Sequence, residues 1–333
     1  MNVGNAGAPG AGGVWAGAGL GFTGFGHYYP RDLVFNAELA GAADAEGNAV
    51  DRAVIGSIEV RSRHVAADDE TIDFMAARAA TAALGRAGRE PGEVDLLVLG
   101  NWSERQLVPE LAPQVALRLG ATRALAFDVC GACTGFVHGV QTAAALLAAH
   151  PSWRVAVVAC SEYFSRRVRP GSKGTLVVGD AAGAAVLEKR GPDAGRGLID
   201  SLLYSAGESA EAVTVRPPQG WIKSKPELVE LGIASNTAVA AQLLERNDLK
   251  IDQIDWFVPH PGTGPIHAAV RERLGIVPER FITTFETRAN TGSASIPTAV
   301  SEYLEKGVFD RGDLCLTPAV GSGWFYGGLL FEL

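Results

Sequence analysis

The stretch Phe127-Asp128-Val129-Cys130-Gly131-Ala132-Cys133-Thr134-Gly135-Phe136 places a cysteine between two contrasting segments. Residues 124–129 read as a β-type run, and residues 134–149 are Ala/Leu-rich and apolar almost all round, the pattern of a buried helix. Cys133 therefore falls at a strand-to-helix turn, where Gly131, Ala132 and Gly135 leave room for a substrate. The free N–H groups and positive dipole end of a helix N-terminus lower a thiol pKa, so the position suits a nucleophilic thiolate. An inert buried thiol is the competing reading, because free Cys packs as a small hydrophobe. Two further residues at segment ends could join it. His260 follows a buried β-type run in Val258-Pro259-His260-Pro261-Gly262, and Asn290 lies in Ala289-Asn290-Thr291-Gly292-Ser293-Ala294-Ser295-Ile296-Pro297. Taken singly, the His reads as structural and the Asn as a turn or N-cap residue.

For these residues to act together, the surrounding elements must bring their ends to one place, and the order of segments supports that. Structure is expected to begin near Leu20 with a β-type stretch to Gly26. Residues 41–56 read as loop, and residues 58–64 alternate as a strand would. A helix over 71–87 has acidic residues before it and Gly88 after it. Buried strands are expected at 94–99 and 155–159, a loop at 100–108, a helix at 110–119, and a Gly-rich turn entering a strand at 179–187. The second half repeats this order. A helix at 234–244 precedes residues 251–260, which parallel residues 91–100. A helix at 265–274 ends in Arg-Leu-Gly, as does the one at 110–119. A strand follows each, and then Cys133 and Asn290 occupy corresponding turns. Each turn leads to a small-residue helix, an apolar strand (155–159 and 314–317) and a closing Gly-rich strand (184–187 and 327–331). Duplicated helices alternating with buried strands predict an α/β architecture whose stacked halves meet at equivalent helix ends.

Composition narrows the function classes. The chain has 333 residues, enough for two similar halves, and its 47% hydrophobic content suits a sizeable core. A net charge of −8 argues against nucleic acid as a partner. No run reaches the roughly 18 apolar residues of a membrane span. The 4 cysteines, Cys130, Cys133, Cys160 and Cys315, read as reduced thiols of a cytoplasmic protein. Cys130 and Cys133 have CxxC spacing, but no second CxxC or His cluster completes a metal site. Residues 1–19 are Gly/Ala-rich without the basic and apolar regions of a signal peptide, and read as a flexible tail.

The chain resembles the thiolase-fold condensing enzymes, specifically the β-ketoacyl-acyl-carrier-protein synthase III group, over residues 20–333. The resemblance rests on residues 128–136, on Gly179-Asp180-Ala181-Ala182-Gly183-Ala184, on Val258-Pro259-His260, on residues 290–297, and on Gly321-Ser322-Gly323-Trp324-Phe325-Tyr326-Gly327. It implies a thiolase fold, with βαβαβ-type halves at 20–190 and 191–333 stacked as a five-layered αβαβα sandwich. It implies a Cys-His-Asn triad of Cys133, His260 and Asn290, with the backbone N–H groups of Cys133 and Gly323 as oxyanion hole. It also implies a Claisen condensation. Cys133 would be acylated by a thioester, and His260 and Asn290 would stabilise the enolate formed as a malonyl-type thioester loses carbon dioxide. Substrates would be carried as CoA or phosphopantetheinyl-carrier thioesters, with no cofactor. The enzyme would be a homodimer. Val108 would reach the neighbouring pocket, and Phe136 and Arg166 would lie along the substrate path.

The sequence also departs from the family pattern. Pro261-Gly262-Thr263-Gly264-Pro265 replaces the Gln-Ala-Asn and basic residue that usually follow the active-site His, which puts carrier docking at issue. The Asp-Glu-Trp-Ile motif, whose Trp helps clamp the adenine of CoA in the family, is missing from residues 41–60, so Arg166 lacks its expected partner and reads more readily as a solvated surface Arg. These departures point away from an acetyl-CoA primer and toward fatty-acid-like or polyketide specialised metabolism. Lys223 and Lys225 read as solvated loop residues, with contact to phosphopantetheine or a carrier protein as the alternative; His138 and His267 read as structural. Two rival functions stand beside condensation. One is acyl transfer from Cys133 to an alcohol or amine, which would not require Asn290. The other is a non-catalytic partner subunit, which would not require Cys133.

Overall fold

The computed structural model describes residues 12–41, 55–106, 108–191, 195–260 and 262–333. The first half contains strands β1 (Leu20–Tyr28), β2 (Asp32–Phe35), β3 (Ser62–Val65), β4 (Leu96–Gly100), β5 (Leu125–Val129), β6 (Val155–Glu162) and β7 (Ala181–Lys189). Its helices are α1 (Ile72–Ala87), α2 (Ala112–Leu119) and α3 (Gly135–Ala149). The second half contains β8 (Leu198–Ser205), β9 (Val213–Val215), β10 (Ile222–Ser224), β11 (Trp256–Phe257), β12 (Leu314–Gly321) and β13 (Phe325–Glu332). Its helices are α4 (Leu228–Arg246), α5 (Gly264–Leu274), the short α6 (Phe285–Arg288) and α7 (Ser295–Glu305).

Strand β6 shows why continuous apolar runs mark the centre. Alternate side chains of a strand point to opposite faces. Ala156, Val158 and Cys160 enter one core with α3, while Val155, Val157 and Ala159 enter another with α1. Both faces are covered, so the run need not alternate in polarity. The first sheet has the order β1-β7-β6-β4-β5, with β4 parallel to β5 and β6. The second has the order β11-β12-β13-β8. Phe281 bridges Phe257 of β11, a remnant of the strand that corresponds to β5.

Helices α3 and α7 lie between the sheets, and Phe22, Phe25, Phe136 and Phe331 join the layers in one core. Helices α1 and α2 cover the outer face of the first sheet, and α4 and α5 that of the second. The result is the expected five-layered αβαβα sandwich. Close layers need small residues: a Cβ on Gly26 would lie 2.1 Å from the Ala79 carbonyl oxygen of α1. The segment 132–149 is long and apolar enough to cross a membrane, but its apolar residues are spent in the core between the two sheets.

Three expectations change. Residues 58–64 supply only β3, paired with β2. Helix α4 starts six residues before the expected 234, because its first turns pack through Gly232 and Ile233. Residues 12–19 are not a loose tail: Val14 and Trp15 donate backbone N–H bonds to Asp200 and Ile199, and the Trp15 indole donates to Ser201 at 2.8 Å. Most of the expected 41–56 loop, residues 42–54, and tail residues 1–11 lie outside the described residues.

Candidate active site

The duplication brings two unusual turns together. Ahead of α3, Ala132 adopts φ 46° and opens the short 3₁₀ turn Ala132–Thr134. Ahead of α7, Gly292 adopts φ 61° and opens the 3₁₀ turn Gly292–Ala294. The equivalent turns therefore pair Cys133 with Ser293, while Asn290 matches Cys130. The two turns touch, for a Cβ on Gly135 would lie 2.9 Å from the Ser293 Cβ.

Each candidate residue is fixed by its own element. Cys133 packs in an apolar cluster with Trp102, Phe164, Val168, Val178 and Ile222. Asn290 bridges in parallel to Val178 of that cluster, and its N–H donates to the Val177 carbonyl at 2.9 Å. The Asn290 side chain is oriented from both ends. Its Oδ1 accepts the Gly292 N–H at 2.9 Å, and its Nδ2 donates to the Gly262 carbonyl at 3.0 Å. A carboxamide has two N–H donors, so one remains for a ligand. His260 ends the segment after β11, where its N–H donates to the Pro318 carbonyl of β12 at 2.9 Å. It is 3% exposed and its Nδ1 has no partner. Gly262 of the His260 loop and Gly292 of the Asn290 turn thus tie the second-half residues together, beside the Cys133 cluster.

Electrostatics favour neutral groups. Burial pushes the His260 pKa down to about 3, the neighbouring His267 lowers it further, and a hydrogen bond with the Gly292 backbone works the other way. The imidazole is neutral at physiological pH. At Cys133 the helix terminus and the surroundings pull in opposite directions. Burial pushes the thiol well above its ordinary value, and the nearby Glu162 adds to the rise. Removing solvent from a thiolate disfavours the charged form.

The remaining candidates separate. The residue seated on the Cys133 amide is Gly321, where a Cβ would lie 2.9 Å from that nitrogen; Gly323, at φ 81°, packs against Phe325. Phe136, the second residue of α3, is fully buried in the core between the sheets, 6.4 Å from the Phe22 ring centroid. Arg166 lies over the Tyr163 ring at 4.0 Å and pairs with Asp68 at 3.4 Å. Val108 is 89% exposed. Lys223 lies on the exposed part of β10, and Lys225 is 3.8 Å from Glu227. His138 packs against Phe325 and hydrogen-bonds Thr134.

One residue escaped the sequence reading. Glu162 is fully buried at the end of β6 and interacts with Cys133. Its signal was a carboxylate closing an otherwise apolar strand. His267, which reads as structural from the sequence, is buried between Phe281 and Phe285, close enough to His260 to lower its pKa, and its Nε2 has no partner among the described residues. Among the described residues, no group of three or more His, Cys, Asp or Glu is placed to hold a metal.

Comparison with known proteins identifies the family. Family models described as 3-oxoacyl-[acyl-carrier-protein (ACP)] synthase III and its C-terminal part match residues 127–207 and 244–333. The beta-ketoacyl-[acyl-carrier-protein] synthase III of Acidiphilium cryptum is 34% identical over 318 residues, covering 93% of this chain and 98% of the relative. The crystal structure of 3-oxoacyl-[acyl-carrier-protein] synthase III from Aquifex aeolicus superposes with a TM-score of 0.88 at 29% identity, over 95% of this chain and 100% of the other. The priming β-ketosynthase of the R1128 polyketide biosynthetic pathway superposes with a TM-score of 0.85 at 28% identity, over 94% and 96% of the two chains. With family models matching parts of both halves and a relative 34% identical along nearly its whole length, this chain belongs to the 3-oxoacyl-[acyl-carrier-protein] synthase III family.

Proposed function

We propose that the protein is a condensing ketosynthase of the synthase III type that forms a carbon–carbon bond by Claisen condensation through an acyl-Cys133 intermediate. The observation that carries this reading is the oriented pair beside the Cys133 cluster: a neutral, buried His260 and an Asn290 amide with one free N–H. Both can donate to a thioester carbonyl without bringing a net charge into an apolar site. The Cys133 sulfur attacks the acyl thioester, the carrier thiol leaves with a proton, and the acyl group rests on Cys133. A malonyl-type thioester then loses carbon dioxide, and the electron pair of the broken bond becomes an enolate held by His260 and Asn290. The enolate carbon attacks the acyl carbonyl, and the Cys133 sulfur is expelled. The Cys133 N–H and the turn 321–323 around it offer the site for the tetrahedral oxyanion. Simple acyl transfer to an alcohol or amine would leave the Asn290 donor without a task.

Substrates arrive as CoA or carrier-protein thioesters, and a homodimer is the working assembly. Support for the dimer comes from β5, an edge strand whose Leu125 is 50% exposed, and from the exposed Val108 nearby in sequence. The free thiols Cys130, Cys133, Cys160 and Cys315 suit a reducing cytoplasm.

The experiment is a single-turnover assay on pre-acylated enzyme. His260→Ala and Asn290→Ala should accept the acyl group but release less carbon dioxide and coupled product from a malonyl thioester, by on the order of 10²-fold for a lost oxyanion donor. Variants that condense at the wild-type rate would remove both residues from the mechanism.

A further inference from the structure

Glu162 is a buried titratable group beside the candidate site that the condensation steps above do not use. It ends β6 with its side chain inside the molecule, and hydroxyls and amides, not cations, surround it. One carboxylate oxygen accepts the Trp102 N–H at 3.3 Å, the Ser103 N–H at 3.2 Å and the Ser103 hydroxyl at 2.6 Å. The other accepts the Ser293 hydroxyl. Ser293 is the duplicate of Cys133 in the α7 turn, and that turn carries Asn290. The packing is close: a Cβ on Gly292 would lie 3.2 Å from the Glu162 Cγ.

We propose that Glu162 is a positioning residue of the active site, tying the loop at Trp102 and Ser103 to the Asn290 turn and setting a negative charge against the Cys133 thiolate. This inference rests on Cys133 being the acylated nucleophile.

Four hydrogen bonds to one carboxylate favour its charged form, whereas burial opposes it. Burial wins, and the Glu162 pKa rises to about 7. The titratable groups that feel its charge are the Cys133 and Cys160 thiols, both pushed upward by it. Cys160 lies two residues earlier on β6 and is buried in the core between the sheets, so the reactive consequence falls on Cys133. Near neutral pH the carboxyl changes charge, and Cys133 ionises more readily when Glu162 is neutral. The same residue therefore couples turn geometry to thiol reactivity.

The test compares the pH profile of Cys133 alkylation by iodoacetamide in wild type, Glu162→Gln and Ser293→Ala, with the modified residue identified by peptide mass spectrometry. Gln keeps an acceptor for the Trp102 and Ser103 donors, and the Ser293 hydroxyl can turn to accept from its amide. Removing the charge should move the alkylation profile about one pH unit toward acid, or about tenfold in rate at a fixed pH below the thiol pKa. Ser293→Ala removes one hydrogen bond from the charged carboxylate, which raises its pKa and should move the profile the same way by a smaller amount. A purely structural role would not shift the profile. Identical profiles in wild type and Glu162→Gln, with Cys133 modified in both, would overturn the inference; if Glu162→Gln does not fold, an unshifted Ser293→Ala profile overturns it. A Cys133 that neither alkylates nor accepts an acyl group in wild type would instead sink the nucleophile reading, and this inference with it.

Discussion

Gly321→Ala tests the placement of the nucleophile at the resolution of a single methyl group. The added Cβ would sit 2.9 Å from the Cys133 nitrogen, 2.9 Å from the Gly131 carbonyl oxygen and 3.0 Å from the Thr134 nitrogen. All three are backbone atoms, so no flexible side chain can swing aside. Restoring ordinary contact requires the Cys133 turn and the end of β12 to separate by about 0.5 Å. Overpacking of this kind costs about 1–3 kcal/mol of stability. A misplacement of about 1 Å in a reacting group costs on the order of 10²-fold in rate, so half of that predicts roughly tenfold slower acylation. The assay is the rate of acyl transfer to Cys133 under single-turnover conditions, followed by intact mass, alongside the urea midpoint. Wild-type acylation with unchanged stability would refute the claim that Gly321 seats the Cys133 amide.

Three further outcomes follow from the same structure. His260 and His267 have pKa values lowered to about 3 and 4, so the unfolded chain binds protons that the native state refuses. Stability contributed this way is complete above the ordinary His value near 6.5 and falls as pH drops toward 4 and 3. The slope reaches at most about 1.4 kcal/mol per pH unit for each His. His267→Phe, in the pocket of Phe281 and Phe285, should lose less of its urea midpoint between pH 7 and pH 5 than wild type; equal losses would contradict this. Phe136→Ala should cost about 3–5 kcal/mol in denaturant unfolding. It should leave the preference among acyl thioesters unchanged, and a changed preference would return Phe136 to the substrate path. Arg166→Ala should change stability by no more than about 1 kcal/mol, because its Asp68 pair is solvent-exposed, and a larger loss in urea unfolding would show otherwise.

Much of the fold was legible because buried strands and small-residue turns leave strong local signals. The apolar run that became β6 marked a strand covered on both faces, and Gly88 marked the end of α1 with φ 64°. The paired turns ahead of α3 and α7 revealed the duplication. Their register did not, because it depends on positive backbone dihedrals at Ala132 and Gly292 that residue types alone do not announce. The burial of Phe136 was hidden for a related reason. Its direction is set by how α3 enters the inter-sheet layer, a tertiary fact. Glu162 was missed because a carboxylate at a strand end ordinarily faces water, and only packing of the Ser293 turn against β6 buries it. Residues 12–19 looked loose by composition, but Trp15 anchors them to β8 through Ser201.

The most direct test of the central claim is intact-protein mass spectrometry of wild type and Cys133→Ala after exposure to acyl thioesters on CoA and on carrier protein, followed by a malonyl thioester. The account predicts an acyl adduct on wild type alone, discharged by the malonyl thioester as a carbon–carbon coupled β-keto product. An adduct on both proteins, none on either, or discharge only to an alcohol or amine would contradict it.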